Sequence, residues 1–189
     1  LLIIFGTTRG IGKELHKYTL TLSENSFILV NRKSVTISKK HKYQKLTLDL
    51  SKPFSKNIIF KLHKTFSQQH GYKNIYLILN ASVVEPIKSI GFIKDELLLK
   101  STYVNFLNYK RIVNIFISST RYLSAKKKII AISSGAAVSP NIGLASYCST
   151  KAALEMFIKC LFLELKKKCE YSVIALRPGI VDTNMQKKI

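Results

Sequence analysis

Tyr147 and Lys151 stand four residues apart in Tyr147-Cys148-Ser149-Thr150-Lys151. On a helix that spacing puts both side chains on one face, one turn apart. A free phenol ionises near ~10, too high for easy proton exchange at neutral pH. A neighbouring ammonium stabilises the phenolate and pulls that value down. The pair therefore suits a proton donor with its tuning cation, able to protonate a carbonyl oxygen. A second cluster, Gly6-Thr7-Thr8-Arg9-Gly10-Ile11-Gly12, lies near the front of the chain. Glycines there permit a tight turn and a close approach of backbone to phosphate. A helix opening at that point would add free N–H groups and the positive end of its dipole. A pyrophosphate-bearing dinucleotide is the expected ligand of this loop.

The elements that must position these groups follow one rhythm: short apolar runs alternating with longer amphipathic segments. Strands are expected at Leu1–Phe5, Phe27–Val30, Lys45–Leu48, Ile75–Leu79, Lys128–Ser133 and Ser172–Leu176. Helices are expected from the glycine loop to about Leu22, over Asn57–Gln69, over Ser101–Leu123 and over Ser149–Lys168. Strands separated by helix-length segments imply βαβ crossovers and a parallel sheet covered on both faces. Unbroken apolar strands such as Ile75-Tyr76-Leu77-Ile78-Leu79 fit double burial. Apolar residues occupy most of the circumference of Ser149–Lys168, more than the one stripe that a helix on a sheet needs. A second subunit is the expected cover, with burial under the same chain as the alternative.

Composition narrows the class. The chain has 189 residues, 47% of them hydrophobic, which is enough for one ordinary domain core and excludes a disordered tail. Thirty-one Lys and Arg oppose ten Asp and Glu, a formal charge of +21. The basic clusters Lys39-Lys40-His41-Lys42, Lys126-Lys127-Lys128, Lys166-Lys167-Lys168 and Lys187-Lys188 are scattered and lack interleaved aromatics. They read as a solvated basic surface rather than a specific nucleic-acid site. Cys148, Cys160 and Cys169 are too few and too dispersed for a disulfide framework or a zinc site, so no metal is expected. No stretch is apolar for the ~18 residues that a bilayer span requires, and no secretory signal is visible. A cytoplasmic protein, free of membranes, is expected.

The spacing G-x-x-x-G-x-G, from Gly6 through Gly10 to Gly12, resembles the short-chain dehydrogenase/reductase family in its short, non-extended form. The resemblance implies a Rossmann-type, doubly wound α/β/α sheet of strand order 3-2-1-4-5-6, with residues 1–189 forming a single NADP-binding domain. It implies four catalytic residues. Tyr147 is the proton donor, Lys151 its partner and the holder of the nicotinamide ribose, and Ser134 the hydroxyl that orients the substrate carbonyl. Asn105 supports a water-mediated proton relay to the lysine. Gly6, Thr8, Arg9, Gly10, Ile11 and Gly12 would cradle the pyrophosphate. Asp49 and Leu50 would border the adenine, Asn80 and Ala81 would support the loop, and Pro178, Gly179, Val181 and Thr183 would pass beneath the nicotinamide.

The end of the second strand carries Asn31 and Arg32 where an acid would select NAD. Arg32, with Arg9, can grip a 2′-phosphate, so NADPH is the expected cofactor. Asn80-Ala81-Ser82-Val83-Val84-Glu85-Pro86-Ile87 and Ser133-Ser134-Gly135-Ala136-Ala137 are most similar to sepiapterin reductase and benzil reductase members. A small carbonyl substrate is implied, with aromatic or vicinal dicarbonyls as the expected class. Homodimers or homotetramers would form through helices 101–123 and 149–168. Two departures stand out: Ser82 replaces the family's glycine, and the chain stops at Lys187-Lys188-Ile189, where a further strand and a substrate lid would begin. They keep open the alternative of a catalytically impaired dinucleotide-binding or interaction protein of the same fold.

Overall fold

Leu2–Phe5 is a wholly apolar run too short to sustain a helix, and it forms the central strand β1. In the computed structural model, which describes residues 1–22, 25–33 and 42–188, it is followed by helix α1 over Gly10–Thr19. Then come β2 (Ser26–Asn31), β3 (Lys42–Thr47), α2 (Lys56–Ser67) and β4 (Asn74–Leu79). Helix α3 (Asp95–Thr102) runs through a π turn at Tyr103–Leu107 into α4 (Asn108–Thr120). Strand β5 (Lys126–Ile132), helix α5 (Ala145–Leu165) and strand β6 (Tyr171–Leu176) complete the order. Of the cluster Lys39-Lys40-His41-Lys42, only Lys42 lies within the described residues, and Ile189 lies outside them.

The six strands form one parallel sheet in the order β3-β2-β1-β4-β5-β6, as the family resemblance implied. Register brings Phe5 opposite both Val30 and Leu79, and Leu79 opposite Ala131. Residues two apart share a face. Ile3, Phe5, Ile28, Val30, Leu77, Leu79 and Ile129 therefore pack together against α2, α4 and α5. Leu2, Ile4, Phe27, Leu29 and Ile78 face the other way, under Leu15 and Leu20 near α1. Order reverses between β1 and β4, and that reversal opens a crevice at the carboxyl ends of the strands.

Several boundaries differ from the sequence expectation. Helix α1 ends at Thr19 rather than near Leu22, where the Thr19 hydroxyl turns back onto the His16 carbonyl. Helix α5 begins at Ala145, four residues early, so Tyr147 is inside it. The long helix expected from Ser101 begins instead at Asp95, with Asp95 and Glu96 in its first turn complementing the dipole. It is also not continuous α-helix, because the π turn inserts extra backbone around Asn105. Among the described residues no helix is long and apolar enough to cross a membrane.

Phe66 of α2 meets Phe116 of α4 edge to face, with ring centroids 5.6 Å apart, at the centre of the larger core. Phe116→Ala is expected to destabilise the fold by about 3–5 kcal/mol. Denaturant unfolding checks this through a lowered midpoint at unchanged slope.

Candidate active site

The glycine loop is shaped by what it must avoid. Gly6 has φ 87°, and a Cβ there would lie 2.8 Å from the Ala81 backbone. A Cβ on Gly12 would overlap the Gly6 carbonyl oxygen and the Asn80 amide. Both positions therefore exclude any side chain. Asn80 Nδ2 donates to the Gly6 carbonyl at 2.6 Å, and the Ala81 N–H donates to the Phe5 carbonyl at 2.8 Å. Asn31 reaches the loop from the other side. Its Oδ1 accepts the Thr7 N–H at 2.7 Å, and its Nδ2 donates to the Thr7 hydroxyl at 2.9 Å. Asn31 is thus a buried brace of the loop.

Helix α1 opens at Gly10 with no acidic residue in its first turn and no side-chain cap from Arg9. Its leading amides are left for an anion. Thr8 and Arg9 are exposed, Ile11 half-buried. Thr183 returns to this point after β6: its methyl lies 3.5 Å from where a Gly10 Cβ would be. Pro178 and the positive-φ Gly179 form the exposed start of that return, and Val181 is half-buried on it. The bare backbone at Gly6 and Gly12 and the uncapped amides fit a dinucleotide pyrophosphate.

Arg32 lies exposed just past β2, and Asp49 just past β3. Burial pushes the Asp49 carboxyl up. Hydrogen bonds from Ser51 and the charges of Arg32 and Lys52 outweigh it and hold the carboxyl below its ordinary value. Arg32 and Asp49 therefore share one neighbourhood, at the β2–β3 end of the crevice. The Leu50 side chain belongs to the main core, while its carbonyl and that of Lys52 accept from Asn108 Nδ2 at 2.9 and 2.7 Å.

Tyr147 and Lys151 lie on the buried face of α5. Lys151 is 1% exposed; its Nζ donates to the Ile132 carbonyl at 2.9 Å and lies 5.7 Å from the Tyr147 ring centroid. Desolvation brings its pKa down to about 8, against an upward pull from Glu155. The phenol does not show the downward shift expected from its lysine. Burial is the largest influence and raises it, and hydrogen bonding with Ser134 and Ser82 recovers only part. The lysine's cation is itself engaged by the Ile132 carbonyl. Tyr147 is accordingly protonated at neutral pH.

Ser134 follows β5 with extended backbone, and its Oγ accepts the Ala136 N–H at 3.2 Å. Asn105 is fully buried in the π turn. Its Oδ1 accepts the Val83 N–H and the Ser82 hydroxyl, both at 2.9 Å, and its Nδ2 donates to the Val83 carbonyl at 2.8 Å and to Thr150 at 3.2 Å. It ties the strand-four loop to the helix of Tyr147. Ser82, where the family's glycine is replaced, uses its hydroxyl in this network. Sequence reasoning missed Thr7, Ser82, Asn108 and Tyr109, whose phenol donates to the Ala81 carbonyl. Each acts through a partner more than twenty residues away, and no local spacing marks it.

The whole chain, residues 1–189, matches the family model described as short chain dehydrogenase. It is 31% identical over 193 residues to a benzil reductase ((S)-benzoin forming) of Bacillus cereus, covering 99% of this chain and 78% of that one. It is 28% identical to the protein of the same name from Bacillus subtilis (strain 168), covering 100% and 77%. An alcohol dehydrogenase from the archaeon Thermococcus sibiricus, solved in complex with 5-hydroxy-NADP, has the same fold at a TM-score of 0.79 and 20% identity, over 98% of this chain and 78% of that one. With its parallel sheet of order 3-2-1-4-5-6 and a glycine loop at the head of the first helix, this chain belongs to the short-chain dehydrogenase family of oxidoreductases.

Proposed function

We propose that the chain is an NADPH-dependent carbonyl reductase with Tyr147 as its proton donor. The observation that carries this reading is the hydrogen bonding of the Tyr147 phenol with the Ser134 hydroxyl, on the helix face that buries Lys151. The pyrophosphate would lie on Gly6, Gly10 and Gly12 and the first amides of α1, with Arg32 and Arg9 taking the 2′-phosphate. Bound NADPH supplies a hydride to the carbonyl carbon. Ser134 donates a hydrogen bond to the carbonyl oxygen and holds it beside the phenol. Tyr147 passes its proton to that oxygen as negative charge develops there, leaving a phenolate that the Lys151 ammonium stabilises. Lys151 also holds the nicotinamide ribose, and Asn105 supports proton return through water. The reverse sequence oxidises an alcohol.

A small ketone or dicarbonyl with apolar flanks suits the site. The Lys88 N–H donates to the Gly143 carbonyl at 2.9 Å, which draws the two loops above Tyr147 together. Those loops expose Ile90, Phe92, Val138 and Ile142. The names of the two Bacillus relatives point to the same class. The altered Asn80-Ala81-Ser82 segment, which motivates the non-catalytic alternative, makes hydrogen bonds to Gly6 and Asn105, and this favours the enzyme. A second copy of the chain would cover the exposed Met156, Phe162 and Leu163 of α5, giving a homodimer or homotetramer through segments 101–123 and 149–168. Three free cysteines suit a cytoplasmic location.

Tyr147→Phe is expected to lower kcat for benzil reduction by about 10²–10⁴-fold. NADPH titration by fluorescence should show unchanged affinity; undiminished turnover would refute the proton-donor role. Arg32→Asp is expected to cost about 1.5–3 kcal/mol of NADPH binding, a fall of roughly 10–150-fold, with NADH binding spared. Comparing the two dissociation constants checks it. Lys151→Met should abolish turnover yet stabilise the fold at pH 7. The folded-state pKa near 8 lies below the unfolded one, so burying the ammonium destabilises the fold throughout the range below 8. That penalty fades as pH rises toward ~10.4, because only the unfolded state then holds the proton. A gain on the order of 1–2 kcal/mol is expected after loss of the Ile132 hydrogen bond, shrinking at alkaline pH. Thermal melts at pH 7 and pH 10 test it.

A further inference from the structure

Glu155 is a buried carboxylate that the mechanism above does not use. It sits one turn beyond Lys151, which itself sits one turn beyond Tyr147, so the three share the inner stripe of α5. Only 5% of it is exposed, and both oxygens are engaged. Arg177 grips it through two bonds, Nε to Oε1 at 2.7 Å and Nη2 to Oε2 at 2.6 Å. The Ser133 hydroxyl donates to Oε1 at 2.7 Å. Arg177 immediately precedes Pro178-Gly179, and Ser133 immediately precedes Ser134. The paired Arg177, above all, holds the carboxyl below its ordinary value against the upward pull of burial. Glu155 is therefore charged at neutral pH.

We propose that Glu155 is a positioning residue of the active site. Its carboxylate ties the strand ends carrying Ser134 and Pro178-Gly179 to the helix carrying Tyr147 and Lys151, and sets a fixed negative charge one turn from the lysine. The inference rests on the reductase reading, since it assigns Glu155 to the site of that reaction.

The charged and titratable groups around Lys151 are Tyr147 and Glu155 on its own helix and, behind Glu155, Arg177 from the end of β6. Strand β5 presents the Ile132 carbonyl, and the π turn meets the helix through the neutral Asn105 at Thr150. Carbonyl reduction needs both the phenol proton and the ammonium. Because burial raises Tyr147, the alkaline limb of the rate profile reports the lysine first. Glu155→Gln removes the negative charge and leaves Arg177 facing the lysine, so the limb must move to lower pH, by about one unit. Arg177→Met frees the carboxylate to act on Lys151 alone, so the limb must move to higher pH.

The experiment is the pH dependence of kcat for benzil reduction with NADPH, from pH 6 to ~10.5, in the wild type, E155Q and R177M. Opposite displacements support the proposal. Limbs that stay in place, or that move the same way, overturn it, because a merely structural brace would lower the rate in both variants without opposed shifts. Should E155Q not fold, R177M decides by itself: a raised limb supports the proposal, and an unmoved or lowered one overturns it. Tyr147→Phe in the same series separates the two failures. Turnover surviving that change removes the reductase reading, whereas Tyr147-dependent turnover with unmoved limbs removes Glu155 alone.

Discussion

Lys151 is a cation sealed against an apolar sheet, and its burial sets the conditions for the rest of the site. Desolvating an ammonium is expensive unless hydrogen bonds and opposite charge surround it. Here the Ile132 carbonyl takes one donor, the Tyr147 ring lies within cation–π range, and the carboxylate of Glu155 lies one turn away. These partners come from β5 and from α5 itself, so helix and strand are held in one relative position. The same dry surroundings raise the phenol. The site thus keeps a protonated phenol beside an ammonium whose pKa is brought down to about 8.

Beyond the last ladder bond of each strand, backbone donors and acceptors need new partners. Asparagine is fitted to that task because a short side chain carries both a donor and an acceptor. Asn31 closes on Thr7, Asn80 on Gly6, Asn105 on Val83, and Asn108 on Leu50 and Lys52. The four amides fix the loops after β1, β3 and β4, which form the crevice. Two of them, Asn105 and Asn108, lie in or next to the π turn. The extra backbone there aims the first at the strand-four loop and the second at the loop after β3.

What was legible in the sequence is what is local. Gly6, Gly10 and Gly12 fall within seven residues, and their steric demand can be read from residue type. Tyr147 and Lys151 are one helical turn apart, and the apolar runs identify the strands. Asn105 and Ser134 were reached through family resemblance, since an asparagine in a helix and a serine at a strand end are common. The π turn was hidden because Tyr103-Val104-Asn105-Phe106-Leu107 has the composition of ordinary α-helix. The start at Asp95 was hidden because Leu97-Leu98-Leu99 shows no period. The upward shift of Tyr147 was unreadable in principle, because burial is a tertiary property and outweighs the hydrogen bonds from Ser134 and Ser82. Ser82 read as a misfit for a glycine position; only the fold shows Asn105 waiting for its hydroxyl.

The excess positive charge also takes its meaning from position. Lys73, Lys126, Lys128 and Lys166 through Lys168 lie where strands begin or helices end, at the pole opposite the crevice. Cations there complement the carbonyl ends of the helices. Lys127 shows this most directly: its buried Nζ donates to the Leu123 carbonyl just past α4 and lies 5.3 Å from the Tyr171 ring centroid. At the crevice pole, Glu85 is paired with Lys188 and also feels Arg9, so positive charge beside the glycine loop is partly balanced. On the proposed reading, a phosphate at that loop would be held chiefly by directed backbone amides and by Arg9 and Arg32, not by the diffuse field of the chain. Such directed contacts fade less with salt than long-range attraction between exposed charges does.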